Sequence, residues 1–449
     1  MEKRIDKEKV ILILLLSTFA IVAILLAFKV RMGISPDSFY HLDVSKAYST
    51  TLGIPENTPD TFKYRDITRI TYLYFWINGK ILNLNNGVIN EVILLRLVNV
   101  IYSLATVFVL YLLSKEVLKK RLERILPVFF LTNTLMFLFL SSSINYDNLA
   151  NLLCILAIYL FIKFVKSKLD TKYLLWMIVI ICLGGLTKFT TLPLAFILIV
   201  LSVVNILRKR ELFKSIKLGK SILLFIPILL LGFLNIELYA TNLFKYGGLE
   251  PNCERILTHE QCLQNGVYYR DNVTFPKTEI NGFPGIVKLI KSGDRIDPVS
   301  YFFKWVPNFT MKIYGIMGDS SLFMKDIFTY MFLFYFVIAL IFGLINFKKW
   351  KRLDIYLILI FVFYLLTLFL FQNYDMYLKH NHFYLGLQGR YIFPVISIMY
   401  ILLSKSLFCI KQKWLRYIIL VPLLLLFIYS CTPFFFTNVE NWWLTGTIN

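Results

Sequence analysis

The apolar runs of this chain hold few charges, and the whole sequence has only four histidines, six cysteines and no glycine-rich phosphate cradle. Each shortage closes off a class of function. A lipid or sugar flippase or other transporter places buried charges and broken helices at mid-membrane. Here Arg96 lies about a turn below the surface and Glu237 near the outer end of its run, so little supports transport. A nucleotide-linked donor is not expected without a glycine-rich loop to hold its phosphates. His259 alone does not complete a zinc site, and His380 and His382, spaced as His-x-His, have no third ligand in view.

What the sequence has in excess is apolar length. Hydrophobic residues are 58% of the 449 and the mean hydropathy is +0.67, too apolar for a soluble domain of this size. About eleven runs can each cross a hydrocarbon core of roughly 30 Å as a helix. The first six are Val10 to Val30, Val92 to Ser114, Ile125 to Leu140, Leu149 to Val165, Tyr173 to Leu186 and Thr191 to Leu207. The rest are Ser221 to Thr241, Ile327 to Phe347, Ile355 to Phe371, Tyr391 to Cys409 and Tyr417 to Cys431. The reading is an all-α polytopic membrane protein, a single transmembrane domain over residues 1–449. The first run has a basic start but no small-residue cleavage site after it, so it is expected to anchor rather than to be removed.

Basic residues fix the expected orientation. With the N-terminus cytoplasmic, the inner segments carry Lys3, Arg4, Lys7 and Lys9, then Lys115 to Arg124, Lys163 to Lys172, Arg208 to Lys220, Lys348 to Arg352 and Lys411 to Arg416. The short outer connections hold only Lys188. This is the positive-inside pattern, and lysines beside anionic lipid account for most of the formal +21 without nucleic acid. An odd number of spans leaves the tail from Thr432 outside, where Trp442 and Trp443 suit an aromatic belt.

Two outer segments, about 31–91 and 242–326, are too long to be mere connections. In the first, Ser35-Pro36-Asp37 reads as a helix start running to about Thr50, with Phe39, Leu42, Val44 and Ala47 resting on the membrane. Tyr40 and His41 would share the face of Asp37. A second amphipathic stretch, Ile67 to Leu84, is rich in aromatics. In the second segment, Cys253 and Cys262 are expected to form a disulfide, and Asp297-Pro298 to open another interfacial helix through Trp305. The other four cysteines fall in or beside spans and read as packing residues.

Four short motifs sit at span ends on this outer side: Pro36-Asp37-(x3)-His41, Ser143-Ile144-Asn145-Tyr146-Asp147, Leu186-Thr187-Lys188, and Gln388-Gly389-Arg390-Tyr391-Ile392-Phe393-Pro394. In order and placement they resemble the landmarks of domain-of-unknown-function family 2142, bacterial multi-span proteins allied to the GT-C glycosyltransferases. One departure is Ser38, where the pattern leads to an acid after the Pro-Asp pair. The resemblance implies a GT-C-like fold in the bacterial cytoplasmic (inner) membrane. It also implies transfer of a sugar from a polyprenyl-phosphate donor to a lipid or glycan acceptor at the extracytoplasmic face, with Asp37 as base.

The residues then take roles by chemistry. Phosphate leaves as an anion, so the paired carboxylates of a glycosidase are not needed. A base for the acceptor hydroxyl and cations for the departing phosphate suffice. His41 would orient Asp37 or contact sugar. Arg390 and Lys188 are candidate phosphate clamps, with Arg65 and Arg69 as further members of the basic set; Lys188 reads equally as a cation snorkelling to lipid phosphate. Asp147 reads as an acceptor contact, a ligand for a divalent cation or a cap of the fourth helix. His380 and His382 read as surface residues or acceptor contacts. A rival, an O-antigen polymerase or ligase, would centre instead on His259, Arg270 and Arg295.

Overall fold

The computed structural model of the protein describes residues 6–208 and 223–444. Lys3, Arg4, most of the basic stretch from Arg208 to Lys220, and the Ser221 start of the seventh run lie outside the described residues. Fifteen helices organise the site. They are α1 (Lys7–Lys29), α2 (Ser38–Ser49), α3 (Leu73–Asn85), α4 (Glu91–Val117), α5 (Arg121–Thr132), α6 (Leu135–Ser141), α7 (Asp147–Lys166) and α8 (Thr171–Thr187). The chain continues through α9 (Leu192–Arg208), α10 (Phe225–Tyr246), α11 (Pro298–Tyr314), α12 (Asp326–Ile345), α13 (Arg352–Thr367), α14 (Phe393–Phe408) and α15 (Lys413–Tyr429).

Within the described residues each expected run falls chiefly on one of these, except the third, which is divided between α5 and α6. Among the described residues nine helices are long and apolar enough to cross a membrane, ten if α5 and α6, bent by 66° at their junction, form one span. α8 is shorter, at 17 residues. The bend falls where Asn133 and Thr134 leave the helix and turn their side chains back onto Phe129 and Phe130 carbonyls, satisfying backbone groups that lipid could not. Apolar side chains on the outer surface of the bundle, such as Ile13, Leu229, Phe233 and Leu340, stay exposed, as helix faces turned to hydrocarbon must.

Ion pairs show that the chain alternates between two faces. At the face of the α1 N-terminus, Glu8 meets Arg124 at 3.6 Å and accepts from Tyr111, so the end of α4 and the start of α5 lie there. Lys163 and Lys166 reach Glu116 on this face, and Lys405 reaches Asp354 at 2.5 Å. At the opposite face Asp37, Asp147, Lys188 and Arg390 converge. The bent α5–α6 pair therefore carries the chain from one face to the other. The tail joins the second face, where Arg31 donates its backbone N–H to the Trp443 carbonyl at 2.8 Å. Trp443 is buried against Phe139 rather than standing in a belt, while Trp442 is exposed.

The outer segments differ in detail from expectation. α2 begins at Ser38, with Asp37 in the left-handed conformation before it, rather than at Ser35. Of its apolar side Phe39 stays exposed, but Leu42, Val44 and Tyr48 are buried, and Tyr48 packs on Phe75 of α3. Two amphipathic helices bury more apolar area against each other than either does alone. In the second segment Cys253 and Cys262 are joined, and the knob they close docks on the first through Asn265, which donates to the Lys63 carbonyl at 2.9 Å. Asp297 caps α11 by accepting from Val299 and Ser300 N–H groups, as the Asp-Pro signal predicts. Trp305 is buried, its indole donating to Asn373 at 2.9 Å, so α11 packs on the bundle instead of floating at the interface. After it a two-stranded hairpin pairs Ile316–Met317 with Ser321–Leu322.

Candidate active site

The loop from Ile34 to Asp37 is held by the polar segment between α6 and α7. Ser143 donates its hydroxyl to Ser35 at 2.9 Å, and the Asn145 side chain donates to the Pro36 carbonyl at 3.2 Å. Asn148 anchors the same segment from below by donating to Asn99 and to the Leu140 carbonyl. Short polar side chains at these places are what fixes an irregular loop in an apolar surrounding, where each unpaired group would cost a few kcal/mol (about 1–3).

Four charges meet on this frame. Arg390 stands on the 3-10 turn that leads into α14 and donates from Nη2 to Asp37 Oδ2 at 2.7 Å. Its Nε lies 3.5 Å from Asp147 Oδ2. Asp147 in turn accepts from Lys188, which ends α8. Lys188 is buried rather than snorkelled outward, with its Nζ between the rings of Tyr146 at 4.5 Å and Tyr391 at 5.1 Å. Asp147 does not cap α7: its carboxylate is spent on the two cations, and the cap residue Tyr146 makes no side-chain cap bond. The charges balance, two against two, as buried ions require.

Exposure separates the members. The side chains of Arg390, Asp147 and Lys188 are 3%, 4% and 8% exposed, whereas Asp37 is 44% exposed. Asp37 is thus the most accessible member of the cluster. Nη1 of Arg390 is buried and has neither a hydrogen-bond nor an ion-pair partner, so the guanidinium keeps one donor unspent. The turn is pressed tightly into place: a Cβ on Gly389 would stand 2.3 Å from the Lys312 backbone carbon. Only glycine permits that approach.

Burial works against the Asp37 carboxylate, but Arg390 beside it outweighs this and leaves Asp37 below its ordinary value. His41 behaves oppositely. Burial pushes it down to about 4, so it is neutral near pH 7. Its ring stacks against Tyr146 at 4.6 Å and Phe75 at 5.7 Å, with Tyr40 and Tyr74 at its edges. Neither ring nitrogen has a partner. His41 therefore shares the expected face but does not orient Asp37 by a hydrogen bond.

The other expected residues are distributed more widely. Arg69 pairs with Glu237 at 3.0 Å and ties the first outer segment to α10. Arg65 ends a 3-10 turn at a φ of 67°, in a strained backbone conformation. His380 is buried against the Phe275 carbonyl at 2.6 Å, and His382 stacks on the Phe275 ring; both serve that loop rather than the charged cluster. His259 pairs with Glu254, Arg270 with Asp271, and Arg295 donates to the Leu378 carbonyl, so the arginines and histidine of the rival reading are engaged elsewhere. Among the described residues no group of three or more His, Cys, Asp or Glu could hold a metal ion. Asp319, on the hairpin turn beside Asp37, escapes the sequence reading; its only signal is the turn tripeptide Gly318-Asp319-Ser320.

Comparison with known proteins agrees with this architecture. The family model described as dolichyl-phosphate-mannose-protein mannosyltransferase matches residues 71–232. No curated protein matches the chain. Among solved structures, ArnT from Cupriavidus metallidurans bound to undecaprenyl phosphate superposes with a TM-score of 0.51 at 12% identity, over 92% of this chain and 62% of ArnT. The Archaeoglobus fulgidus oligosaccharyltransferase, tethered with an acceptor peptide containing the NVT sequon, gives 0.49 at 12% identity, over 94% of this chain and 54% of that one. The chain spans less than two thirds of either neighbour's length. The fold is of the GT-C type, shared with ArnT.

Proposed function

We propose that the protein is a membrane glycosyltransferase that moves a sugar from a polyprenyl-phosphate donor to a cell-envelope acceptor at the extracytoplasmic face. The observation that carries this reading is the cluster of Asp37, Asp147, Lys188 and Arg390, with its one accessible carboxylate and its buried guanidinium nitrogen left without a partner. Asp37 takes the proton of the acceptor hydroxyl as that oxygen attacks the sugar carbon. The bond to phosphate breaks, and the electron pair leaves with the phosphate, which departs as an anion on Arg390. Lys188, insulated between two aromatic rings, adds positive potential and holds Asp147, which keeps Arg390 aimed. The GT-C fold supports the class of reaction, and the undecaprenyl phosphate bound to ArnT supports a lipid-phosphate donor. Within GT-C we place the chain beside family 2142, on the order of its four outer motifs.

The test is direct. Purified protein is incubated with a panel of polyprenyl-phosphate sugars and envelope acceptors, and the lipid products are analysed. Transfer from at least one donor, lost in Asp37→Asn, is expected. Sugar movement across proteoliposomes without covalent transfer would instead point to a flippase.

A further inference from the structure

The hairpin after α11 does more than join two helices. Its turn is driven into the loop that carries Asp37: a Cβ on Gly318 would stand 2.4 Å from the Ile34 carbonyl oxygen and 3.0 Å from the Pro36 nitrogen. Ser320 donates its N–H toward the same Ile34 carbonyl at 3.5 Å. The strand before the turn is fixed from beneath, with Ile316 fully buried and the Met317 N–H directed at the Met136 sulfur. Asp319, between Gly318 and Ser320, is exposed to water and stands on the turn that abuts the loop ending in Asp37. Two carboxylates thus stand on adjoining loops, and Arg390 gives its ion pairs to Asp37 and Asp147.

We propose that Asp319 is the terminal proton acceptor of the transfer, taking from Asp37 the proton drawn from the acceptor hydroxyl and releasing it to the outer water. This rests on the function proposed above. The bookkeeping of bonds is complete. The acceptor oxygen joins the sugar carbon, the sugar–phosphate bond breaks toward phosphate, and one proton passes from the hydroxyl to Asp37, to Asp319 and to solvent.

The charges around the pair favour that direction. Against the raising effect of burial, Arg390, helped by Lys188, holds Asp37 below its ordinary value, so a protonated Asp37 gives up its proton readily. At Asp319, burial of part of the turn and then the Asp37 charge raise the carboxyl to about 6, against a smaller lowering by Arg390. A base held low needs somewhere to send its proton before the next turnover. Paired carboxylates whose environments push them apart are the usual means of dividing such work.

Two measurements test this. In the transfer assay, Asp319→Asn is expected to lower kcat at least tenfold with the donor KM unchanged, and to lose the acid limb near pH 6. Asp319→Glu should restore most of the rate, and small carboxylic buffers should partly rescue Asp319→Asn. Unchanged kcat and pH profile in Asp319→Asn, or a loss that neither Glu nor buffer restores, would overturn the relay. Infrared titration of the carboxyl band, which needs no turnover, should find Asp319 titrating near 6 and moving down in Asp37→Asn. A band at the ordinary carboxylate value, indifferent to Asp37, overturns the inference even if transfer occurs. Absence of transfer from any donor overturns the proposed function instead, whatever the infrared result.

Discussion

In the proposed transfer Asp37 and Arg390 divide the work between a reachable base and a shielded cation. Replacing Asp37 by Asn should leave insertion and folding intact and lower turnover by roughly 10²- to 10⁴-fold, the worth of a positioned base; product analysis alongside detergent size-exclusion profiles checks both halves. Arg390→Ala should impair donor use and also strip two carboxylates of a partner, a change that costs on the order of 3–5 kcal/mol where the ions are buried. A fall in melting temperature together with weakened donor binding is expected. His41 makes a separate prediction. Its value falls from 6.5 to about 4 on burial, so the unfolded chain binds the extra proton first as pH drops. Stability is therefore lost from about pH 6.5 down to 4, on the order of 2 kcal/mol between pH 7 and 5. Melting curves at those two pH values should show a smaller loss in His41→Phe than in wild type. At this scale the four residues that converge, Asp37, Asp147, Lys188 and Arg390, were legible as candidates because each has a position relative to a span. Asp319 was not, because nothing local ties a turn residue to a loop nearly three hundred positions earlier.

The elements around the site work by close approach. Gly389→Ala would thrust a methyl group onto the Lys312 backbone, lifting the turn that carries Arg390 away from α11. Donor KM should rise while expression holds, and donor titration measures it. Asp297→Ala removes the α11 cap and should cost about 1 kcal/mol of stability, read as a lower melting temperature with little change in transfer. Span positions were legible because twenty apolar residues have few other uses. The outer helices were only half legible. The amphipathic pattern of α2 and α3 is the same whether the partner is lipid or another helix, and here Tyr48 and Phe75 chose each other. The α5–α6 bend was not readable either, since Asn133 and Thr134 pass for ordinary polar residues in a span.

The molecule as a whole sorts its charges into two layers joined by apolar helices. If the basic layer is cytoplasmic, a cysteine at Glu56 in the first outer segment should react with an impermeant maleimide in intact cells. One at Lys172, on the other face and exposed, should react only after permeabilisation. The reverse labelling pattern would invert the assigned topology.

The ties across the site differ greatly in span. Asp147 and Lys188 are 41 positions apart, while Asp37 and Arg390 are 353 apart. Synthesis delivers the N-terminal part first, so the short tie can close as a neighbouring helix hairpin long before the long one. Asp37 must wait, hydrated and unmatched, until the fourteenth helix arrives. If the proposed function holds, assembly of the centre is conditional on nearly complete translation: a fragment released before position 390 keeps a lone negative group and cannot become prematurely competent.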